Sequence, residues 1–166
     1  MTADEIIRLL ELKPHPAEGG YFREVYRADE TIPHDALPAR YGGARAFGTA
    51  IYYLLTPESF SALHVLDSDE AFHFYLGDPV EMLQLHPSGA SERVVIGNDL
   101  AAGHAPLVIV RRGVWQGSRL IPGGRFALLG TTVAPGFEFV DYRHGDGAVL
   151  AARYPEQKDL IAVLAR

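Results

Sequence analysis

The densest group of chemically capable side chains runs His64-Val65-Leu66-Asp67-Ser68-Asp69-Glu70-Ala71-Phe72-His73. One His closes an apolar run; a carboxylate and a second His open the next. On adjacent antiparallel strands such residues meet across the ladder. A carboxylate orients an imidazole and raises its basicity, so His64, Glu70 and His73 form a candidate acid–base set. The same types ligate zinc, iron, nickel or manganese. The plain alternative is a rim pair without a role. Alternation adds a constraint: Glu70 and His73 lie three positions apart and face opposite sides of a regular strand. Either a bulge intervenes, or only one of them points inward.

Two further segments carry candidates for ligand binding. In Arg112-Gly113-Val114-Trp115-Gln116-Gly117-Ser118, Trp115 can wall a pocket against a ring, and Gln116 can hydrogen-bond a ligand. A lone Trp is more often core packing with its N–H satisfied. In Glu18-Gly19-Gly20-Tyr21-Phe22-Arg23-Glu24-Val25-Tyr26-Arg27, alternation sets Tyr21, Arg23, Val25 and Arg27 on one face. It sets Phe22, Glu24 and Tyr26 on the other. Arg23 is the candidate holder of an anionic group, in the bidentate geometry a guanidinium offers. Its plain alternative is a solvent-facing charge. His15, His34, His86, His104 and His144 sit beside Pro, Gly or Asp and read as loop residues.

Several chemistries lose their support. The chain contains no G-x-x-x-x-G-K-[ST], no G-x-G-x-x-G, no G-x-S-x-G and no H-E-x-x-H, which removes the main signatures of P-loop, dinucleotide-binding, α/β-hydrolase and zincin sites. Cysteine is absent, so disulfides, thiolate catalysis and Cys-ligated zinc are excluded. Lys and Arg number 15 against 21 Asp and Glu, a formal charge of −6. That balance argues against a nucleic-acid surface, which is normally basic. No apolar run approaches the roughly 20 residues of a membrane span, and no basic segment precedes an apolar one at the start. The expectation is a soluble cytoplasmic protein whose partner is a small molecule.

The elements that must position these residues are mostly strands. Short runs rich in Val, Ile, Tyr, Phe and Thr, divided by 17 Gly and 11 Pro, imply a sandwich or closed barrel. The predicted strands are Tyr21–Arg27, Phe47–Leu55, Ser61–Val65, Ala71–Leu76, Glu81–Leu85, Arg93–Ile96, Leu107–Val110, Val114–Ser118, Phe126–Val133 and Phe137–Tyr142. Thr2 and Glu5 form a capping box that starts a short first helix, ended by Pro14 and Pro16. Pro155 starts a last helix with Leu160, Ile161 and Leu164 on its apolar face. The segment 29–45 is a long irregular loop of the kind that serves as a lid or interface arm. With 166 residues the chain suits one domain spanning 1–166.

At these residues the chain resembles the cupin superfamily. The first cupin motif runs H-x-H, three or four residues, E, six residues, G. His64, Glu70 and Gly77 fit its second His, Glu and Gly; six residues separate Glu70 from Gly77, and five separate His64 from Glu70. The chain is similar over most of its length to the uncharacterised-domain family numbered fifth among cupins. That similarity rests on Glu18-Gly19-Gly20-Tyr21-Phe22-Arg23, Ala50-Ile51-Tyr52-Tyr53-Leu54-Leu55, 68–79, Gly113-Val114-Trp115-Gln116-Gly117 and 133–139. The resemblance implies an all-β, double-stranded β-helix (jelly-roll) barrel with short N- and C-terminal helices, usually dimeric. It implies a ligand pocket at the barrel mouth lined by His64, Glu70 and Gln116. It also suggests likeness to sugar-nucleotide epimerases of the dTDP-4-dehydrorhamnose 3,5-epimerase kind.

Two departures bear on metal. The motif's first His falls at Ala62, and Gln116 stands nearest the place of the last metal-binding His. Catalytic metals want three firm protein ligands, so no metal site is assigned and the cofactor is left open. The function expected is binding of a small polar or sugar-like ligand, with a metal-independent isomerase or epimerase reaction run by the His64/Glu70 pair. Such an enzyme needs an acid on the opposite face of the reacting carbon, for which Tyr26, Tyr52 and His73 are candidates. The alternatives are a binding module without chemistry and a metal-dependent cupin enzyme. A homodimer is expected, since pairing would cover an exposed sheet edge.

Overall fold

The computed structural model describes residues 1–165. The chain opens with α1 (Ala3–Leu9), where the Thr2 hydroxyl accepts from the Glu5 N–H and Glu5 accepts from the Thr2 N–H. Thirteen strands follow. They are β1 (Lys13–Pro14), β2 (Tyr21–Arg27), β3 (Thr31–Ile32), β4 (Arg45–Ala46), β5 (Thr49–Leu55), β6 (Phe60–Val65) and β7 (Asp69–Gly77), then β8 (Val80–Leu85), β9 (Ser91–Ile96), β10 (Leu107–Val110), β11 (Trp115–Leu120), β12 (Ala127–Ala134) and β13 (Arg143–His144). Helices α2 (Gly147–Arg153) and α3 (Lys158–Leu164) close the chain.

Two antiparallel sheets form the jelly roll: a six-stranded sheet in the order β1-β2-β5-β12-β7-β10 and a five-stranded sheet in the order β13-β6-β11-β8-β9. Between them, Tyr53, Leu55, Phe72, Val80, Met82, Ile96, Leu120, Ala127 and Leu129 form one buried cluster. Period-two alternation sends the other face of each strand outward. Leu54 and Leu128 leave the six-stranded sheet to pack against Ile6 of α1. Leu63, Leu83 and Leu85 leave the five-stranded sheet to pack against Leu150, Tyr154, Leu160 and Ile161. The helices therefore cover apolar outer faces that would otherwise meet water.

The register divides the interior into two ends. Tyr53 pairs with Leu129 and Leu55 with Ala127, and these fill the apolar end. Further along the same strands Thr49 pairs with Val133 and Ile51 with Thr131. Those four line an open pocket instead. One end of the barrel is plugged by packing and the other is left accessible.

Two expectations need correction and one needs an addition. The segment 137–142 is not a strand; it is a 3-10 turn, Phe139–Asp141, with extended residues on either side. Its apolar run reads like a strand, yet Phe139 and Val140 are exposed and only Asp141 of the turn is buried. The last helix stands as expected, a 3-10 turn from Pro155 leading into α3 with Leu160, Ile161 and Leu164 buried, but a further helix, α2, precedes it, its N–H groups capped by Asp146. Segment 29–45 is not wholly irregular, since β3 and β4 pair within it.

A buried ion pair pins this region. The Arg45 guanidinium donates from Nε to Asp141 Oδ2 at 2.9 Å and from Nη2 to Asp141 Oδ1 at 2.5 Å, and both residues are 3% exposed. Arg45 also donates to the carbonyls of Gly43 and Ala44. Removing one partner leaves an uncompensated buried charge, which costs roughly 3–5 kcal/mol. Asp141→Ala is accordingly expected to lower the unfolding free energy by about that amount in urea titrations, whereas removing the exposed Arg23–Glu11 pair by Glu11→Ala changes it by about 1 kcal/mol or less.

Candidate functional site

The site is built where four backbone features converge. Gly19 and Gly20 both adopt positive φ, 103° and 67°. A Cβ on Gly20 would lie 2.7 Å from the Leu54 carbonyl oxygen, so this tight turn against β5 requires glycine. The turn lays Glu18 over β6, where the Ala62 N–H donates to its carbonyl at 2.9 Å. The Ser61 hydroxyl donates to the Glu18 carboxyl. Strand β6 delivers His64, 2% exposed. Strand β7 delivers Glu70, and β11, paired with β6 through Gln116 and His64, delivers Gln116.

His64 is held in one tautomer. Its Nδ1 lies 2.8 Å from the Ala62 carbonyl oxygen, and a carbonyl only accepts, so Nδ1 carries the proton. Nε2 then presents a lone pair, 4.0 Å from Glu18 Oε2. Tyr142 stacks on the ring with centroids 4.9 Å apart and planes inclined 19°. Burial lowers the imidazole below its usual value, against the opposing pull of the Glu70 charge; it is neutral at physiological pH.

Glu70 accepts from Gln116 Nε2 at 2.7 Å and hydrogen-bonds with Thr131. Burial, and next the charge of Glu18, push its carboxyl up to about 7. Burial likewise raises Glu18, opposed by His15 and by the Ser61 hydrogen bond. Like charges in one poorly solvated space disfavour double ionisation. The site thus places a neutral imidazole beside Glu70, whose carboxyl titrates at about 7, and Glu18, which burial also raises, the pairing that acid–base chemistry requires.

The pocket is a cavity of about 90 Å³ behind an open mouth. Phe22, Ile51, Val133, Phe137, Phe139 and Tyr142 supply its apolar walls. Glu24, Arg27 and Glu138 stand at its rim. Arg27 is clamped there, donating to both Glu24 oxygens at 3.0 and 2.9 Å, to Glu138 at 2.8 Å and to the Phe137 carbonyl at 3.1 Å.

Of the residues singled out in the sequence, His64 and Glu70 line this pocket, and Gln116 is fixed behind Glu70. The others lie elsewhere. His73 is on the opposite face of β7, bonded through Nε2 to Thr132 Oγ1 at 2.8 Å and stacked on Tyr75. The register slip in the β7–β12 pairing falls between Leu76 and Phe74, beyond His73, so nothing turns it inward. Tyr52 is on the same outer face, edge-on to Tyr75. Arg23 pairs with Glu11, and Tyr26 is 56% exposed outside the pocket. A bulge between Glu24 and Tyr26 in the β2–β5 pairing shifts the alternation, which brings Arg27 rather than Tyr26 to the rim beside Glu24; Arg23 precedes the bulge and stays on the face opposite Glu24. Trp115 packs under α2 and α3 with Leu63 and Leu85.

His15, Glu18, Arg27, Glu138 and Tyr142 also line the pocket, and sequence reasoning did not select them. The glycine pair after Glu18 was the one usable signal for that residue. His15 turns its Nδ1 to the Glu18 N–H at 2.8 Å.

The donor set does not fit a metal centre of the cupin kind. Ala62 stands in place of the first His, and its carbonyl fixes His64 Nδ1. Gln116 directs its amide N–H to Glu70. Among the described residues no three His, Asp or Glu side chains form a metal-binding group, and no helix is long and apolar enough to cross a membrane.

The raised Glu70 pKa has a measurable consequence. Its folded value of about 7 lies above the ordinary 4.5, so its contribution to stability is full below pH 4.5 and is lost as pH rises through about 7. Glu70→Gln removes that proton linkage. The stability of the Gln variant relative to the parent is expected to rise by roughly 3 kcal/mol from acid to mildly alkaline pH, measured by urea unfolding across that range.

Residues 4–145 match the profile of the family described as Cupin superfamily (DUF985). A hypothetical protein from Leishmania major shares 32% identity and a TM-score of 0.88, with 99% of each chain covered. Protein SO0799 from Shewanella oneidensis shares 34% identity and a TM-score of 0.87, covering 100% of this chain and 98% of its own. The uncharacterized yeast protein YML079W of Saccharomyces cerevisiae is 30% identical over 134 residues, 75% of this chain and 66% of that protein's length. Bacillus subtilis oxalate decarboxylase shares the fold at 16% identity, with a TM-score of 0.54 over 93% of this chain and 38% of its own. The fold, the matched segment and the relatives agree: the chain belongs to the cupin superfamily, in the DUF985 family.

Proposed function

We propose that the open end of the barrel binds a small polar, sugar-like molecule and moves a proton on it without a metal, as an isomerase or epimerase does. The observation that carries this reading is His64. It is buried, neutral, locked by the Ala62 carbonyl, and turns Nε2 toward a pocket that also holds Glu18 and Glu70. A C–H next to a carbonyl gives its proton to Nε2, and the electron pair moves onto the carbonyl oxygen as an enolate. A carboxyl that holds its proton near neutral pH hydrogen-bonds that oxygen. The proton then returns to carbon, from His64 on the same face or from a carboxyl on the other. Glu70 and Glu18 take the acid role first expected of Tyr26, Tyr52 or His73, which lie outside the pocket. Gln116 holds Glu70 in place.

The test is deuterium incorporation. Ketoses, incubated with the protein in D2O, are followed by proton NMR at the carbon beside the carbonyl. Exchange is expected with the parent protein and is reduced about 100-fold or more in His64→Gln, the range a single acid–base group supplies. Circular dichroism confirms that the variant is folded. Equal exchange in His64→Gln overturns the catalytic reading. Saturable binding without exchange leaves the pocket as a binding module.

A further inference from the structure

The charge and hydrogen-bonding character of the pocket restrict what it can hold. Four carboxyls line it: Glu18, Glu24, Glu70 and Glu138. The guanidinium that lines it, Arg27, already faces two of them and a carbonyl. Arg23, which would have received an anion, sits outside on Glu11. An incoming phosphate or carboxylate would meet net negative charge at the rim and carboxyls at the floor.

The inner atoms can accept hydrogen bonds, the two carboxyls most strongly once a bound cation favours their ionised form. His64 Nε2 is a buried lone pair whose nearest charged neighbour, Glu18 Oε2, is 4.0 Å away, beyond hydrogen-bond range. Glu18 Oε2 and the Glu70 carboxyl lie in the same space. The other side is aromatic. Phe137 and Phe139 meet edge to face at 5.1 Å, and Phe22 packs against His15 at 4.6 Å. Acceptors on one side and π faces on the other suit a group with several N–H donors and a positive charge.

We propose that the ligand of this pocket is a small organic ammonium, such as an amino sugar, with its N–H donors on Glu18 and Glu70, His64 Nε2 beside it, and its carbon skeleton against Phe22, Phe137 and Phe139. This rests on the proposed function only in taking the pocket as the ligand site. It narrows the sugar-like class to amines and removes sugar phosphates and sugar nucleotides from it.

The test compares matched probes by ligand-observed NMR at pH 7 and at concentrations up to tens of millimolar: ethanolamine against ethylene glycol, and glucosamine against glucose and glucose 6-phosphate. Each amine is expected to bind about tenfold more tightly than its alcohol partner, the ratio that a moderately desolvated cation–π and carboxylate contact supplies. Phe139 is 53% exposed, so it can be altered without opening the core. Phe139→Leu keeps an apolar wall and removes the π face; it is expected to weaken the amines several-fold and leave the alcohols unchanged. An alcohol or the phosphate binding as tightly as the amine overturns the proposal, and so does an absence of amine binding over the whole range. Amine binding by a protein that exchanges no proton of the ketoses leaves the ammonium assignment standing and removes the catalytic reading.

Discussion

The carboxyls of Glu18 and Glu70 and the imidazole of His64 occupy one poorly solvated pocket, and taking them out of water is the constraint that the surrounding structure answers. Burial penalises the charged form of each group. The response is partly titration: burial raises both carboxyls, Glu70 to about 7, and lowers the imidazole. The rest is hydrogen bonding. Ser61 and the Ala62 carbonyl on β6, Gln116 on β11 and Thr131 on β12 each engage one of the three. Strands from both sheets therefore contribute to a single electrostatic balance.

The jelly roll supplies this because its strands change character along their length. On β5 and β12, Tyr53, Leu55, Leu129 and Ala127 fill the plugged end, and Thr49, Ile51, Thr131 and Val133 leave the other end open. The plug excludes water from below. The apolar outer faces are covered separately, by α1 on one sheet and by α2 and α3 on the other. The buried Arg45–Asp141 pair fixes the turn that carries Phe139 to the rim and leads into Tyr142, the ring stacked on His64. A long-range ion pair thus helps set the position of the His64 imidazole.

The cupin barrel hosts many reactions, and the fold alone does not choose among them. What distinguishes this chain is the replacement of an imidazole-rich floor by one imidazole, carboxyls and an amide. Such a floor can hold and release protons and can accept hydrogen bonds. Its surroundings are aromatic and acidic.

Local signals in the sequence were sufficient for much of this. Period-two alternation and Gly/Pro punctuation located most of the strands; Tyr21–Arg27 and Leu107–Val110 match to the residue. The Thr2–Glu5 capping box located α1, and the cupin-like spacing singled out His64 and Glu70. Alternation also required that Glu70 and His73 part company in a regular strand, but it could not say which one faced in. That depended on where β7 and β12 slip register, a property of the pairing and not of either strand. The bulge in β2 is of the same kind: it exchanges Tyr26 for Arg27 at the rim, through one extra residue opposite β5. Trp115 reads equally well as a pocket wall or as core until α2 and α3 are seen covering its face. Glu18, Glu138 and Tyr142 reach the pocket from segments distant in sequence, through turns whose direction only the packed sheets determine. Composition and periodicity fix which residues alternate within an element; which face becomes the inside, and which distant side chains share it, is decided when the sheets close on one another.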